Sequence, residues 1–193
     1  RELEDRRSWQ SYWLVDPLDG TKEFIKRNDE FTVNIALIAD GRPVLGVVTA
    51  PACALEYFGA SAVGAWRRRG DDAPEQVHTA TGRSGAARVV GSRSHPSPAL
   101  ATYLERLGPH ELCSMGSSLK ICLVADGQAD VYPRFGPTSE WDTAAAQAVL
   151  ESAGGNVIDL AGRELRYNTK DSLLNPHFLA VGDSRRNWLA AVP

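Results

Sequence analysis

Tyr12-Trp13-Leu14-Val15-Asp16-Pro17-Leu18-Asp19-Gly20-Thr21-Lys22-Glu23-Phe24 begins as a short apolar run, passes through an acidic turn and continues into a helix-forming segment. Residues 12–15 read as a strand, the Asp-Pro-Leu-Asp-Gly cluster as its turn, and residues 21–27 as a short helix. Asp16 and Asp19 lie three residues apart across that turn, where two carboxylates can converge, and the carbonyl of Leu18 between them offers a further hard oxygen. Such a donor set suits magnesium. Gly20-Thr21 opens the helix, whose free N–H groups and positive dipole end attract a phosphate, and the Thr21 hydroxyl adds a hydrogen bond. The plainer alternative is an ordinary turn in which Asp19 caps the following helix, and for this pair taken alone it is the default.

A second acidic helix start lies far along the chain. In Ser139-Glu140-Trp141-Asp142-Thr143-Ala144-Ala145-Ala146, Asp142 falls in the first turn of a long apolar helix. The Ser-x-x-acid spacing is also a helix-capping pattern, and from this stretch alone capping is favoured. Trp141 reads as a core residue rather than a stacking platform.

Between these points the periodicity changes character. Residues 31–38 and 43–50, joined through Asp40-Gly41, read as a β-hairpin, with further strands at 54–58 and 62–66. Arg67-Arg68-Arg69-Gly70-Asp71-Asp72 reads as a solvated turn, and residues 71–86, polar and rich in Gly, Pro and Ala, as a linker. Beyond it the order is strand 88–91, helix 99–107, helix 117–125, strand 129–132, helix 140–153, strands 156–159 and 178–182, and helix 185–192. The alternation predicts an α/β fold with a hairpin-rich lobe over residues 1–86 and an α/β lobe over residues 87–193.

Composition narrows the function. A 193-residue chain that is 43% hydrophobic and 23% charged supports a packed core. Its net charge of −3 gives no general attraction for nucleic acid or anionic lipid, so an anionic ligand must be held by local groups or metal. Cys53, Cys113 and Cys122 have neither disulfide-framework nor zinc-knuckle spacing and read as buried free thiols of a reducing cytoplasm. With no membrane-length apolar run, a soluble, cytoplasmic protein is expected.

Residues Trp13 to Phe24, together with Trp141-Asp142-Thr143-Ala144-Ala145, resemble the two signatures of the inositol monophosphatase superfamily. Asp-Gly-Thr-Lys-Glu-Phe is similar to the bisphosphate nucleotidase branch, as are Gly116-Ser117-Ser118-Leu119-Lys120 and Tyr132-Pro133-Arg134-Phe135-Gly136-Pro137-Thr138, so the resemblance runs over nearly the whole chain. It implies a layered α-β-α-β-α sandwich, magnesium as cofactor, and removal of the 3'-phosphate from 3'-phosphoadenosine 5'-phosphate in sulfur metabolism and nucleotide recycling. It further implies that Asp16, the Leu18 carbonyl, Asp19 and Asp142 hold the metal, and that Thr21 with the Gly20 and Thr21 amides holds the reacting phosphate. The chemistry implied is in-line attack of water without a phosphoenzyme. Ser117, Lys120, Arg134 and His95 would contact the nucleotide, although Lys120 and Arg134 read by themselves as surface charges and His95 as an exposed loop residue. A peripheral position at the inner membrane is compatible with this reading.

The chain also departs from the pattern. The family's N-terminal helices, first hairpin and paired glutamates are expected ahead of the acidic strand, and neither Glu2 nor Glu4 stands in the matching context. The expectation is therefore a fragment, or a natural short form with little activity of its own. Ala146 replaces a Gly common among relatives. Three rivals stand beside this reading. A haloacid dehalogenase-type phosphatase would need Asp-x-Asp-Gly-Thr in place of the Asp-x-x-Asp-Gly-Thr found here. An inositol or other sugar phosphate phosphatase of the same fold is the closer enzyme, and a nucleotide-binding remnant without turnover is the non-enzymatic one.

Overall fold

Antiparallel hairpins build the first sheet of the computed structural model, which describes residues 2–92 and 97–193. After a single helical turn α1 (Leu3–Arg6), the chain runs through β1 (Ser11–Asp19), α2 (Thr21–Lys26), β2 (Thr32–Ala39), β3 (Arg42–Ala50), β4 (Leu55–Ala60), β5 (Gly64–Arg69) and β6 (Glu75–Val77). These six strands pair in sequence order as an antiparallel meander. The β2–β3 turn is tight because Asp40 and Gly41 both take left-handed backbone angles, φ 49° and 72°. Along β2 every second residue (Thr32, Asn34, Ala36, Ile38) is buried, as strand periodicity requires of a sheet covered on one face. The other face carries exposed Trp13, Val15 and Ile35.

The second sheet comes from β7 (Ala87–Ser92), β8 (His110–Met115), β9 (Val131–Arg134), β10 (Asn156–Asp159) and β11 (Phe178–Val181), in the spatial order β10-β11-β9-β7-β8. Strand β7 runs parallel to both neighbours, and the remaining pairs are antiparallel. Helices α4 (Leu119–Ala125) and α5 (Glu140–Ser152) lie between the sheets and join them in one core with Ile38, Val48, Tyr57, Tyr132 and Phe178. Helix α3 (Pro98–Leu107) and a 3₁₀ turn at Trp188–Ala191 cover the far face of the second sheet over Val89, Val131 and Leu179. The layers are thus sheet, helices, sheet, helices, four of the five layers of the expected sandwich. Among the described residues no helix is long and apolar enough to cross a membrane.

Helix α5 sits unusually close to the first sheet because both surfaces are small there. It presents Ala145 and Ala148 to β3, where Gly46 has no room for a side chain: an added Cβ would lie 2.1 Å from the Ala145 carbonyl oxygen and 2.9 Å from the Ala148 Cβ. Neither obstacle is a flexible side-chain end. Gly46→Ala is therefore expected to cost about 1–3 kcal/mol of overpacking. A thermal melt should fall by several degrees, at about 2–4 °C per kcal/mol for a chain of this size.

Several local expectations are corrected. Residues 71–86 are not simply a linker, since β6 adds its three residues to the edge of the first sheet. Strand β8 departs from the expected order: the mixed run His110 to Met115 is exposed along most of its length and has no polar–apolar alternation to mark it. The expected C-terminal helix is a short 3₁₀ turn. Of the cysteines only Cys122 is buried, and Cys53 and Cys113 are exposed. The arginine run is strand rather than turn: Arg67 pairs with Glu75 at 2.8 Å and, at 3.2 Å, with the buried carboxylate of Asp126, which also accepts a 2.7 Å hydrogen bond from the Tyr57 hydroxyl. Trp141 is 36% exposed rather than a core residue.

Candidate active site

Two carboxylates at positions three apart on a regular strand would face opposite ways, because side chains alternate. Strand β1 avoids this with a bulge: Asp16 pairs with Asn34 and Asp19 with Thr32, so Pro17 and Leu18 together oppose the single residue Val33. Pro17, which has no N–H for the ladder, is suited to that interruption. Leu18 turns its own N–H to the Asp16 Oδ1 at 3.0 Å. The irregularity brings Asp16 and Asp19 onto one side of the strand.

Asp19 does not cap α2. Gly20 occupies the cap position with a left-handed backbone (φ 84°, ψ 46°), and the Asp19 Oδ2 accepts the Ser118 N–H at 2.6 Å and, more loosely, the Thr32 hydroxyl at 3.4 Å. Ser118 Oγ lies 2.7 Å from Asn34 Oδ1 and 2.8 Å from Thr32 Oγ1, which ties the start of α4 to β2. Asp142 arrives from the opposite side, at the start of α5. Its Oδ2 accepts the Ser139 N–H at 2.7 Å, so the helix-capping role is real. A carboxylate has two oxygens, however, and capping engages one.

One oxygen each from Asp16, Asp19 and Asp142 lies within 4.8 Å of the others. Burial pushes all three carboxyls above their ordinary range, Asp19 to about 6, and mutual repulsion among them adds to the rise at Asp19 and Asp142. Three hard oxygens converging where their own charge is costly fit a divalent cation.

Beside the acidic group, a cleft of about 270 Å³ brings together Asp19, Gly20, Thr21, Ser117, Lys120, Arg134 and Asp142. Lys120 is no surface charge: it is 6% exposed, its Nζ donates to the Ser117 carbonyl and lies 5.4 Å from the centre of the Tyr132 ring. Burial lowers its pKa to about 8 against the upward pull of Asp19, and Arg134 lowers it further. Arg134 is half-buried, with Nη2 on the Pro137 carbonyl at 2.9 Å and a buried Nε that has no partner among the described residues. An anion is the ligand such a pair of cations would hold. Thr21 sits at the first position of α2, Leu18 lies in the bulge, and His95 falls outside the described residues.

The cleft also holds residues that sequence reasoning passed over. Glu23, 5% exposed on α2, lines it with Ser118, Tyr132 and Thr138. The signal for Glu23 was present in the Asp-Gly-Thr-Lys-Glu-Phe stretch, whereas Thr138 and Tyr132 carry no spacing that sets them apart.

A family model described as the inositol monophosphatase family matches residues 2–188. The 3'(2'),5'-bisphosphate nucleotidase CysQ of Salmonella typhimurium (strain LT2) is 55% identical over 175 residues, which span 91% of this chain and 70% of the relative. Its counterpart in Escherichia coli (strain K12) is 54% identical over the same shares of both chains. Among solved structures, CysQ from Bacteroides thetaiotaomicron, described as a bacterial member of the inositol monophosphatase family, superposes with a TM-score of 0.86 at 46% identity, covering 94% of this chain and 73% of that one. An inositol monophosphatase from Zymomonas mobilis superposes with a TM-score of 0.79 at 25% identity, covering 97% and 72%.

Proposed function

This chain belongs to the inositol monophosphatase family, and from that premise we propose that its cleft removes the 3'-phosphate of a 3',5'-bisphosphorylated nucleoside such as 3'-phosphoadenosine 5'-phosphate. It is a phosphoric monoester hydrolase of the 3'(2'),5'-bisphosphate nucleotidase type, as are relatives at 47–55% identity. The observation that carries the reading is the pairing, at one cleft, of three convergent carboxylates, of which Asp19 and Asp142 line it, with the buried Lys120 and the half-buried Arg134. A monophosphorylated sugar needs the first set alone; a substrate with a second, non-reacting phosphate uses both.

The positions of the cleft residues support a division of roles. Asp16, the Leu18 carbonyl, Asp19 and Asp142 would hold magnesium, which supplies a lowered pKa for attacking water and neutralises charge on the phosphoryl group and leaving oxygen. Gly20 and Thr21 orient the reacting phosphate with backbone N–H groups and the Thr21 hydroxyl. Lys120 and Arg134, with the Ser117 hydroxyl, grip the 5'-phosphate: Arg134 offers a planar fork and Lys120 a compact charge. In the reaction a water oxygen bonds to phosphorus, the bond from phosphorus to the 3'-oxygen breaks, and that oxygen takes up a proton. No aspartyl phosphate forms. In the cleft the spacing that distinguishes this chain from the dehalogenase-type phosphatases is accommodated by the β1 bulge.

Phosphate release from 3'-phosphoadenosine 5'-phosphate, inositol 1-phosphate and fructose 1,6-bisphosphate, each with and without magnesium, tests this. The nucleotide should be preferred in kcat/KM, and only with the metal. Equal or better turnover of the sugar phosphates would overturn the substrate assignment, and turnover without magnesium the choice of metal. Binding of the nucleotide without release under any metal would favour the remnant.

A further inference from the structure

Glu30 does not line the cleft, yet its carboxylate holds the turn that does. The turn Gly116-Ser117-Ser118 lies between β8 and α4, and carboxylates hold its backbone N–H groups on both sides of Ser117. On one side the Ser118 N–H reaches the Asp19 carboxylate at 2.6 Å. On the other, the Gly116 N–H donates to the Glu30 Oε2 at 2.7 Å. Gly116 fits only because it has no side chain: an added Cβ would lie 2.7 Å from the Glu23 Cγ, 2.8 Å from the Glu30 Cβ and 3.0 Å from the Glu30 carbonyl oxygen. Ser117 is then forced into a left-handed backbone at φ 45°, costly for a residue with a Cβ and maintained only where its surroundings hold it. From that strained position its carbonyl oxygen accepts the Lys120 ammonium, and its side chain lines the cleft.

Glu30 is itself held in place. The connection from α2 to β2 turns through left-handed residues at Arg27 and Asp29, φ 53° and 65°. It is closed by the Asn28 N–H on the Glu23 carbonyl at 3.2 Å and by the Glu30 N–H on the Asn28 side chain at 3.2 Å. Phe31 packs edge-on against Phe24 with ring centres 5.1 Å apart. A wound, packed loop of this kind can hold a carboxylate at a fixed point.

We propose that Glu30 is a positioning residue for substrate specificity: by accepting the Gly116 N–H it fixes the strained Ser117 turn, and so places Ser117 and Lys120 where the non-reacting 5'-phosphate binds. The inference rests on the nucleotidase reading of the cleft. Removing the carboxylate frees the Gly116 end of the turn, while Asp19, Asn34 and Thr32 retain the Ser118 end. The end of the site that grips the distal phosphate loosens, and the reacting end keeps its geometry.

The test compares 3'-phosphoadenosine 5'-phosphate with 3'-AMP, which has the reacting phosphate and lacks the distal one. Glu30→Ala should raise KM about tenfold for the bisphosphate, the equivalent of one hydrogen bond to a charged group, and leave KM for 3'-AMP and both kcat values within about twofold. Calorimetric binding of the product AMP, which needs no turnover, should weaken by a similar factor of about ten. Glu30→Gln keeps an acceptor oxygen and should restore both parameters. Should Glu30→Ala fold poorly, Glu30→Asp, shorter by one methylene, carries the same expectation. Equal rises in KM for both substrates, a fall in kcat alone, or a Gln variant as impaired as Ala would each overturn the proposal. A wild-type protein with no preference for the bisphosphate would instead refute the nucleotidase reading, so the two failures are distinguishable.

Discussion

Asp16→Asn and Asp142→Asn are each expected to reduce magnesium-dependent phosphate release on the order of a hundredfold or more, since even partners that only orient a metal ligand account for roughly ten- to hundredfold. Each substitution removes a charged oxygen from a cluster whose members lie within 4.8 Å of one another, and neither changes volume. The fold should not suffer. Burial raises the pKa of both carboxyls, so in the metal-free protein at neutral pH the folded state disfavours their charged form, and a neutral isostere removes that cost. The melting temperature without metal should therefore be unchanged or higher in both variants. Magnesium should raise the melting temperature of the wild type by mass action and do so far less in the variants. Near-normal turnover, or an undiminished magnesium shift, would remove the metal assignment. Of the two, Asp142→Asn also tests the capping bond, because an amide oxygen can still accept the Ser139 N–H. Loss of folding at Asp142 alone would mean that the carboxylate serves the helix more than the cation.

Lys120→Ala and Arg134→Ala form the second pair. Each removes a cation from the cleft that the acidic cluster borders, and a hydrogen bond to a charged group contributes about 1.5–3 kcal/mol, or roughly a ten- to hundredfold change in KM. That rise is expected for 3'-phosphoadenosine 5'-phosphate and not for 3'-AMP, because the lost contact is to the phosphate that does not react. The two variants should differ in other respects. Arg134 is half-buried and can be lost without opening the core, whereas Lys120 is packed beneath Tyr132 and its carboxylate neighbours. Truncating Lys120 leaves Asp19 without its nearest cation, so this variant should also shift the metal dependence of the reaction. Lys120→Arg is the control for charge with altered shape. Parallel losses on both substrates in all three variants would assign these residues to the fold rather than to the distal phosphate.

The sequence carried the local chemistry of this protein well. The acidic turn at Asp16 to Thr21, the helix start at Asp142, the hairpin around Asp40-Gly41 and most strands of both sheets announce themselves through spacing, turn residues and period-two burial, because those signals act within a few residues. It could not show strand β8, whose mixed residues do not alternate and whose place is set by parallel pairing with β7. Nor could it decide between the two readings of each aspartate. Capping depends on a neighbour three residues away, while metal binding depends on whether Asp142 meets Asp16 and Asp19 across more than a hundred residues of chain.

Only packing settles such a question. By composition Lys120 looks like a surface charge and Glu30 like a loop acid. The burial of Lys120 between sheets, and the fit of Gly116 against Glu23 and Glu30, come from α4 and α5 wedging between two sheets formed by opposite halves of the chain. The sequence by itself determined which chemical groups the site could contain and where each strand would turn. The tertiary structure decided which of them share a cleft, because desolvation and charge at a site depend on distances through space that neighbours along the chain do not fix.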